Sequence, residues 1–356
     1  IWVPSEYGPF SCPYTEAGDV RIYSRYSNIH RVGNTDKGYS YNVTTRLRNT
    51  FVDVFTENSA LRTDVSYTYG RSFAVNDGLS SQINSNWDGV EHVNGANNIE
   101  LAESEFSPGH RVLGRVSYRQ QFLEQLAATV TLIYEGQSGR PFSYVIDNSD
   151  VMVQERGESN SLFYVPRTAS QLSFTETTRG DVTISPEQQA AALEEFIRGN
   201  EYLSDKRGQY TDRNADRTPW EGVFDLNLRL EVFQELLGRQ QSLELTANVF
   251  NFSSLLGDVF GTDWGERFIS TNQVNLTQFS SFKNPPGEDA EEGNPPGMEL
   301  TPVYTAQILD VVDTDGDGTA DEFRGAIGQD EIFNERRTGS SYSSQYQIQF
   351  GIRYNF

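Results

Sequence analysis

Hydrophobic and polar residues alternate with a period of two over long stretches of the chain. In GYSYNVTTRLRNTF, Tyr41, Val43, Leu47 and Phe51 stand opposite Asn42, Thr44, Arg46 and Arg48. LRTDVSYTYGRSF follows after turn residues Glu57, Asn58 and Ser59, with Leu61, Val65, Tyr67, Tyr69 and Phe73 against Arg62, Asp64, Ser66 and Thr68. This alternation predicts a hairpin. The pattern recurs in HRVLGRVSYRQQF with LAATVTLIYEG, joined around Leu123–Gln125, and in FDLNLRLEVF with LELTANVFNF, joined around Glu235–Gln241. The last residues, YQIQFGIRYNF, keep it to the end: Tyr346, Ile348, Phe350, Ile352, Tyr354 and Phe356 on one face, Gln347, Gln349, Gly351, Arg353 and Asn355 on the other.

The polar set of Asp225, Asn227, Arg229 and Glu231 is too charged for the inside of a sandwich. A sheet whose strands all carry such a face either lines a wet lumen or exposes one side to water. The hairpin turns are short, whereas the connections between hairpins are long: Val75–Gly109, 147–221 and 310–343. Short turns on one rim and long loops on the other are the asymmetry of outer-membrane barrels, and loops this long are uncommon in compact soluble domains. A helix is predicted within 147–221, over 186–204: Ser185 is the N-cap, Pro186 the first helical residue, Gln188 completes a capping box, and Leu193, Phe196 and Ile197 share a face. Weaker strands are predicted near Val20–Ser27, Asn272–Phe282 and Glu299–Leu309, for about ten in all. With the chain ending at the periplasmic rim, parity makes PPGEDAEEGNPPG, Pro285–Gly297, a long acidic periplasmic turn.

Composition narrows the partners. With 28 basic and 50 acidic residues the net charge is −22, so nucleic acid, which needs a basic footprint, is not an expected partner. The acidity suits solvated surface loops, and it also allows divalent cations to bridge the chain to anionic lipopolysaccharide, or the loops to attract cationic cargo. Mean hydropathy is −0.56, and no run approaches the roughly 20 apolar residues of a spanning helix. A membrane barrel remains open, because its lipid-facing residues are every second one. The lone Cys12 can form no internal disulfide. The opening IWVPSEYGPF has neither a start methionine nor a targeting segment, which suggests a processed or partial chain.

One stretch has metal-ligand spacing. In DTDGDGTADE, Asp313, Asp315 and Asp317, then Gly318, the backbone of Thr319, and Asp321 follow positions 1, 3, 5, 6, 7 and 9 of a calcium loop. Arg324 stands where the bidentate Glu belongs, so Asp321 or Glu322 would complete the shell of a structural calcium ion; the alternative is a solvated acidic hairpin loop. No metalloprotease, nucleophile-elbow or P-loop motif is present, and His30, His92 and His110 are scattered, so an enzyme is not expected.

Several segments in order resemble TonB-dependent outer-membrane receptors, in particular the Oar-like branch common in Bacteroidetes: KGYSYNVTTRL, SPGHRVLGRVSY, YEGQSGRPFSY, SLFYVP, LEEFIRGNEYLSDKRGQYTDRNADRTPW, FDLNLRLEVF, LELTANVFNFSSLLG and QFGIRYNF. The resemblance runs from about Gly38 to the end. It implies an all-β fold, the C-terminal half (about ten strands) of a 22-stranded antiparallel transmembrane barrel with long extracellular loops, so that 1–356 is part of one barrel domain. It also implies location in the bacterial outer membrane and TonB-dependent transport of a large substrate, peptide or protein. The TonB complex would be contacted through an N-terminal part outside this sequence. The terminal Phe350, Ile352, Tyr354 and Phe356 resemble the signal read by the barrel-assembly machinery, and a surface lipoprotein or other protein is an implied partner. A passive porin and an adhesive surface barrel are the alternatives.

Overall fold

The computed structural model describes residues 12–13, 32–149, 160–236, 239–260, 272–283, 299–329, 332 and 345–356. It is mostly strand, and none of its helices is long and apolar enough to cross a membrane, which says nothing of a β-barrel.

Ten strands organise it: β1 (Tyr39–Val52), β2 (Ser59–Ala74), β3 (Gly109–Leu123), β4 (Leu126–Gln137), β5 (Pro141–Asp147), β6 (Glu221–Leu236), β7 (Arg239–Phe250), β8 (Gln273–Lys283), β9 (Glu299–Ala306) and β10 (Gln347–Asn355). Seven of them pair antiparallel in the order β1-β2-β3-β4-β6-β7-β10, with Ala102–Glu103 added against β2. We call this sheet the wall. Its register keeps the two faces in phase from edge to edge: Leu228 lies opposite Val130 and Ala247, Ala247 opposite Phe350, and Val130 opposite Tyr118. A slip of one residue in any strand would swap its faces, so the alternation itself fixes the register.

The hairpin turns lie where the alternation breaks. Between β1 and β2 the chain reverses with Asp53 (φ 54) and Asn58 (φ 59) in the left-handed region, which Asp and Asn tolerate better than other side chains. Only Glu124 and Gln125 separate β3 from β4.

All three long connections leave the opposite rim and fold together into a cap. Its sheet contains β9, β8 and β5 in that order, with β8 antiparallel to β9 and parallel to β5. Cys12–Pro13 pairs with β9, so the lone cysteine sits in a cap strand. Against this sheet packs helix α1 (Pro186–Gly199), which buries Gln189, Ala192, Leu193, Phe196 and Ile197 on one stripe. Ala192, Leu193, Phe196 and Ile197, together with Phe142, Phe163, Ile184, Leu203 and Leu276, belong to the hydrophobic core. Each such large apolar side chain contributes about 1.5–3 kcal/mol on burial. The capping box forms as expected: Ser185 Oγ accepts from Gln188 N (3.3 Å) and Gln188 Oε1 accepts from Ser185 N (2.9 Å).

Three expectations change. The predicted helix 186–204 is two: α1 ends at Gly199, and Asn200, in extended backbone, becomes the N-cap of α2 (Glu201–Asp205), its Oδ1 accepting from Leu203 N at 2.8 Å. The strands predicted at Asn272–Phe282 and Glu299–Leu309 exist as β8 and β9 but belong to the cap. Among the described residues the wall therefore has seven long strands, fewer than the ten expected of the barrel, and the connection from β7 to β10 spans 251–346 in place of 310–343. The reason is local: Tyr304, Leu276 and Ala306 are buried in the cap core, and a strand with a buried face cannot also present it to lipid. With β8 and β9 both in the cap, Pro285–Gly297 no longer has to be a periplasmic turn; those residues, like Val20–Ser27, lie outside the described ones.

Candidate functional site

The wall has two chemically distinct faces. One carries Val43, Leu47, Val65, Val116, Val130, Leu228, Leu230, Leu245, Ile348, Phe350 and Ile352, all exposed. Soluble chains rarely leave such a contiguous apolar surface bare. Aromatic residues border it at both rims. On the cap side Tyr39 stacks on Phe73 (centroids 4.8 Å), Tyr69 lies against His110 (4.7 Å) and Tyr134 against Phe224 (4.7 Å), with Trp220 Nε1 donating to Tyr134 Oη at 3.1 Å. On the turn side are Phe51, Phe122, the Phe55–Tyr118 pair (5.7 Å) and the Tyr354–Phe356 pair (6.1 Å). Along β1, ten residues separate Tyr41 from Phe51, or roughly 33 Å at about 3.3 Å each. Tilted by about 40°, that is roughly 25 Å, the height of the apolar band between the aromatic girdles of outer-membrane barrels.

The other face is a polar ladder. Arg46 Nε and Arg48 Nε donate to Asp64 (2.7 and 3.1 Å), Thr44 pairs with Thr68 (2.9 Å), Ser117 with Thr131 (2.9 Å), Arg119 with Glu231 (3.1 Å) and Asn227 with Asn248. These groups hydrogen-bond across strands; Ser117 and Thr131 are buried, while the side chains of Arg46, Arg48 and Arg119 keep much of their surface.

Where the cap meets the wall, two arginines act as a clasp. Arg213, 5% exposed, donates to the carbonyls of Val75 (2.8 Å) and Ala74 (2.6 Å) at the end of β2. Arg217 reaches Glu103 (2.6 Å) and the carbonyls of Ser107 and Gly139 (both 3.1 Å). Glu103 also takes Arg71 and the hydroxyl of Ser107 (2.6 Å). Burial alone would raise the Glu103 carboxyl, but these donors outweigh it and hold its pKa below the usual glutamate value. Asn214, left-handed at φ 56 and buried, donates from Nδ2 to Glu103 O (2.8 Å). Gly139 completes the joint, since a Cβ there would collide with Thr218 O.

Beside the clasp opens a cavity of about 690 Å³, lined by Tyr39, Arg71 and Phe73 of the wall, Glu91 of the first connection, and Tyr202 and Tyr210 of the second. Burial raises the Glu91 carboxyl, which a hydrogen bond from Gln273 Nε2 (3.0 Å) only partly offsets. Above α1, Tyr144 Oη donates to Asp216 (2.8 Å) and accepts from Asn200 Nδ2 (2.9 Å); burial and the Asp216 charge push its pKa up.

The acidic loop connects the hairpin of Leu309–Val312 and Glu322–Ala326 on the cap. Ligand atoms of Asp313, Asp315 and Asp317 lie within 4.8 Å of one another, all exposed, a set that can hold a divalent cation. The loop is shaped by glycine: Gly316 (φ 79) and Gly318 (φ 92) are left-handed and donate their N–H groups to Asp313 (2.6 and 2.7 Å), which lowers its pKa. Thr319 N donates to Asp317 Oδ1 at 2.8 Å. Asp321 is turned to Thr314, accepting from its N (3.0 Å) and Oγ1 (2.8 and 2.7 Å), while Glu322 accepts from Arg324 Nη2 (3.2 Å). Three of the five predicted ligands are thus gathered, and neither residue expected to complete the shell faces them. Calcium needs six to eight oxygens, so the fit is partial.

Phe350, Ile352 and Tyr354 lie on the apolar face of β10, an outer strand of the described wall, and Phe356 directly follows its end; all four are exposed. The clasp escaped sequence reasoning. Its residues lie in the polar stretch QYTDRNADRTPW, where two arginines flank Asn and Asp; only their spacing on either side of a left-handed Asn could have marked them. No protein-family model, curated protein or solved structure matches the chain.

Proposed function

We propose that this chain forms wall and outer cap of a transmembrane β-barrel in a bacterial outer membrane, as part of a TonB-dependent transporter of a large substrate, peptide or protein. The observation that carries the membrane assignment is the continuous exposed apolar face between two aromatic rims ten residues apart along β1, backed by a charged face. Seven strands are fewer than the eight of the smallest such barrels, so closure needs strands beyond the described wall. TonB coupling, the barrel-assembly signal and the substrate class rest on the resemblance of the ordered segments. The cap lies at the rim of the long connections, the extracellular side in this orientation, and calcium at Asp313, Asp315 and Asp317 would order its acidic loop without taking part in any reaction.

Fractionation of cells producing the intact protein tests the assignment. It should stay with the outer membrane after alkaline extraction, run faster on gels when unheated, and retain the periplasmic domain of TonB on affinity resin. Recovery in the aqueous extract would refute the membrane reading. Membrane retention without TonB capture would favour a passive porin or an adhesive barrel.

A further inference from the structure

On the polar face, toward the short turns, the wall forms a groove of about 300 Å³ lined by Arg48, Arg62, Arg115, Arg119, Arg229 and Thr129. Its charge opposes that of the chain, whose net charge is −22. Asp64, the acid in the groove, is already taken by Arg46 and Arg48. Arg119 is paired with Glu231, and Arg229 lies 3.6 Å from Glu244. Arg62 and Arg115 form no ion pair with any described residue, so two guanidinium groups stand exposed in the groove unneutralised.

A second observation is independent of charge. Thr129 is only 3% exposed, yet its Oγ1 has no hydrogen-bond partner, and Arg229 Nε is buried and equally unpartnered. Thr129 and Arg229 are directly opposite across β4 and β6. Buried polar atoms of folded chains are nearly always satisfied, so a hydroxyl and an N–H left open side by side mark a place for an acceptor. The guanidinium fork matches the paired oxygens of a carboxylate or phosphate, which a neutral ligand would not use.

We propose that this groove binds an oxyanion, carboxylate or phosphate, carried by the transported solute, with Arg62 and Arg115 supplying charge and Thr129 and Arg229 the buried hydrogen bonds. The proposal deepens the transport reading and rests on it for the groove facing the lumen. In that orientation the site lies below the cap, near the periplasmic rim, where an anionic solute would be held after passing the loops.

Calorimetric titration of the intact protein in detergent with citrate and, separately, inorganic phosphate tests it. Saturable binding should appear for at least one; the tighter of the two identifies carboxylate-bearing or phosphorylated solutes. Arg62→Gln with Arg115→Gln should weaken it about tenfold or more, as loss of charge-assisted hydrogen bonds does. Thr129→Val should weaken it several-fold at unchanged ionic-strength dependence, and Arg353→Gln, on the same face outside the groove, should leave it unchanged. Unheated gel mobility confirms that each variant is folded. No saturable binding of either anion, a double variant equal to the wild type, or an equal loss in Arg353→Gln would overturn the site. If the protein fractionates with the outer membrane but binds no anion, only the solute class falls; if it does not, the transport reading falls whatever the titration gives.

Discussion

Leu228 sits at the middle of β6, sixteen residues long, with Val130 and Ala247 opposite it on the apolar face and 40% of its surface exposed. Leu228→Arg separates a lipid environment from a watery one. In water, an exposed leucine replaced by arginine changes stability by about 0.5 kcal/mol or less. At the bilayer midplane the same charge costs about 2–4 kcal/mol, some 30- to 700-fold in the folding equilibrium at about 1.4 kcal/mol per decade. The assay is reversible urea unfolding of the intact protein in lipid vesicles, followed by tryptophan fluorescence. Gln349→Arg, on the polar face of β10, is the control and should shift stability by no more than about 0.5 kcal/mol. A loss of under about 1 kcal/mol in Leu228→Arg, or equal losses in the two variants, would refute the assignment of this face to lipid.

Three further outcomes are expected. Gln189 is fully buried, with Nε2 donating to Thr175 O (2.7 Å) and Ile184 O (3.2 Å) and Oε1 accepting from Ala306 N (3.0 Å), so Gln189→Leu should destabilise the cap by about 3 kcal/mol, read as lost hydrogen-exchange protection in α1 and β9; unchanged protection contradicts this. Because the folded pKa of Glu91 is raised, stability is lost as pH climbs past the unfolded value of about 4.3 toward the folded one, so Glu91→Gln should raise the melting temperature at pH 7 and leave it unchanged at pH 4, and equal shifts at both would contradict the burial argument. Calcium titration of the intact protein should give saturable uptake that Asp315→Ala removes; no uptake, or uptake that survives the substitution, leaves the acidic loop a solvated hairpin.

The wall was legible because a period of two is a one-dimensional signal: the polar face of Asp225, Asn227, Arg229 and Glu231 and its apolar counterpart can be read without knowing any neighbour. The helix was legible for a similar reason, since Ser185, Pro186 and Gln188 act within one turn. Its break at Asn200 was not, because the residue's amide is committed to Tyr144 and Gln329 (2.9 and 3.0 Å), contacts distant in sequence. The same limit misplaced β8 and β9. Their alternation is real, but whether an apolar face meets lipid or a core depends on what packs against it, and α1 ends 74 residues before β8 begins and 100 before β9 begins. The clasp of Arg213 and Arg217 satisfies backbone carbonyls at the strand ends, which no side-chain pattern reveals.

The most direct test of the wall is depth-resolved quenching in bilayers. In a Cys12→Ser background, single cysteines at Leu228, Leu245 and Ile352 on one face and Asn227, Thr246 and Gln349 on the other would carry an environment-sensitive fluorophore in the intact protein, reconstituted into lipids brominated on their acyl chains. Strong quenching at the first three and none at the second three, alternating residue by residue between 227 and 228, is the expected result. Equal quenching on both faces, or labels on both faces reporting water, would contradict a membrane wall.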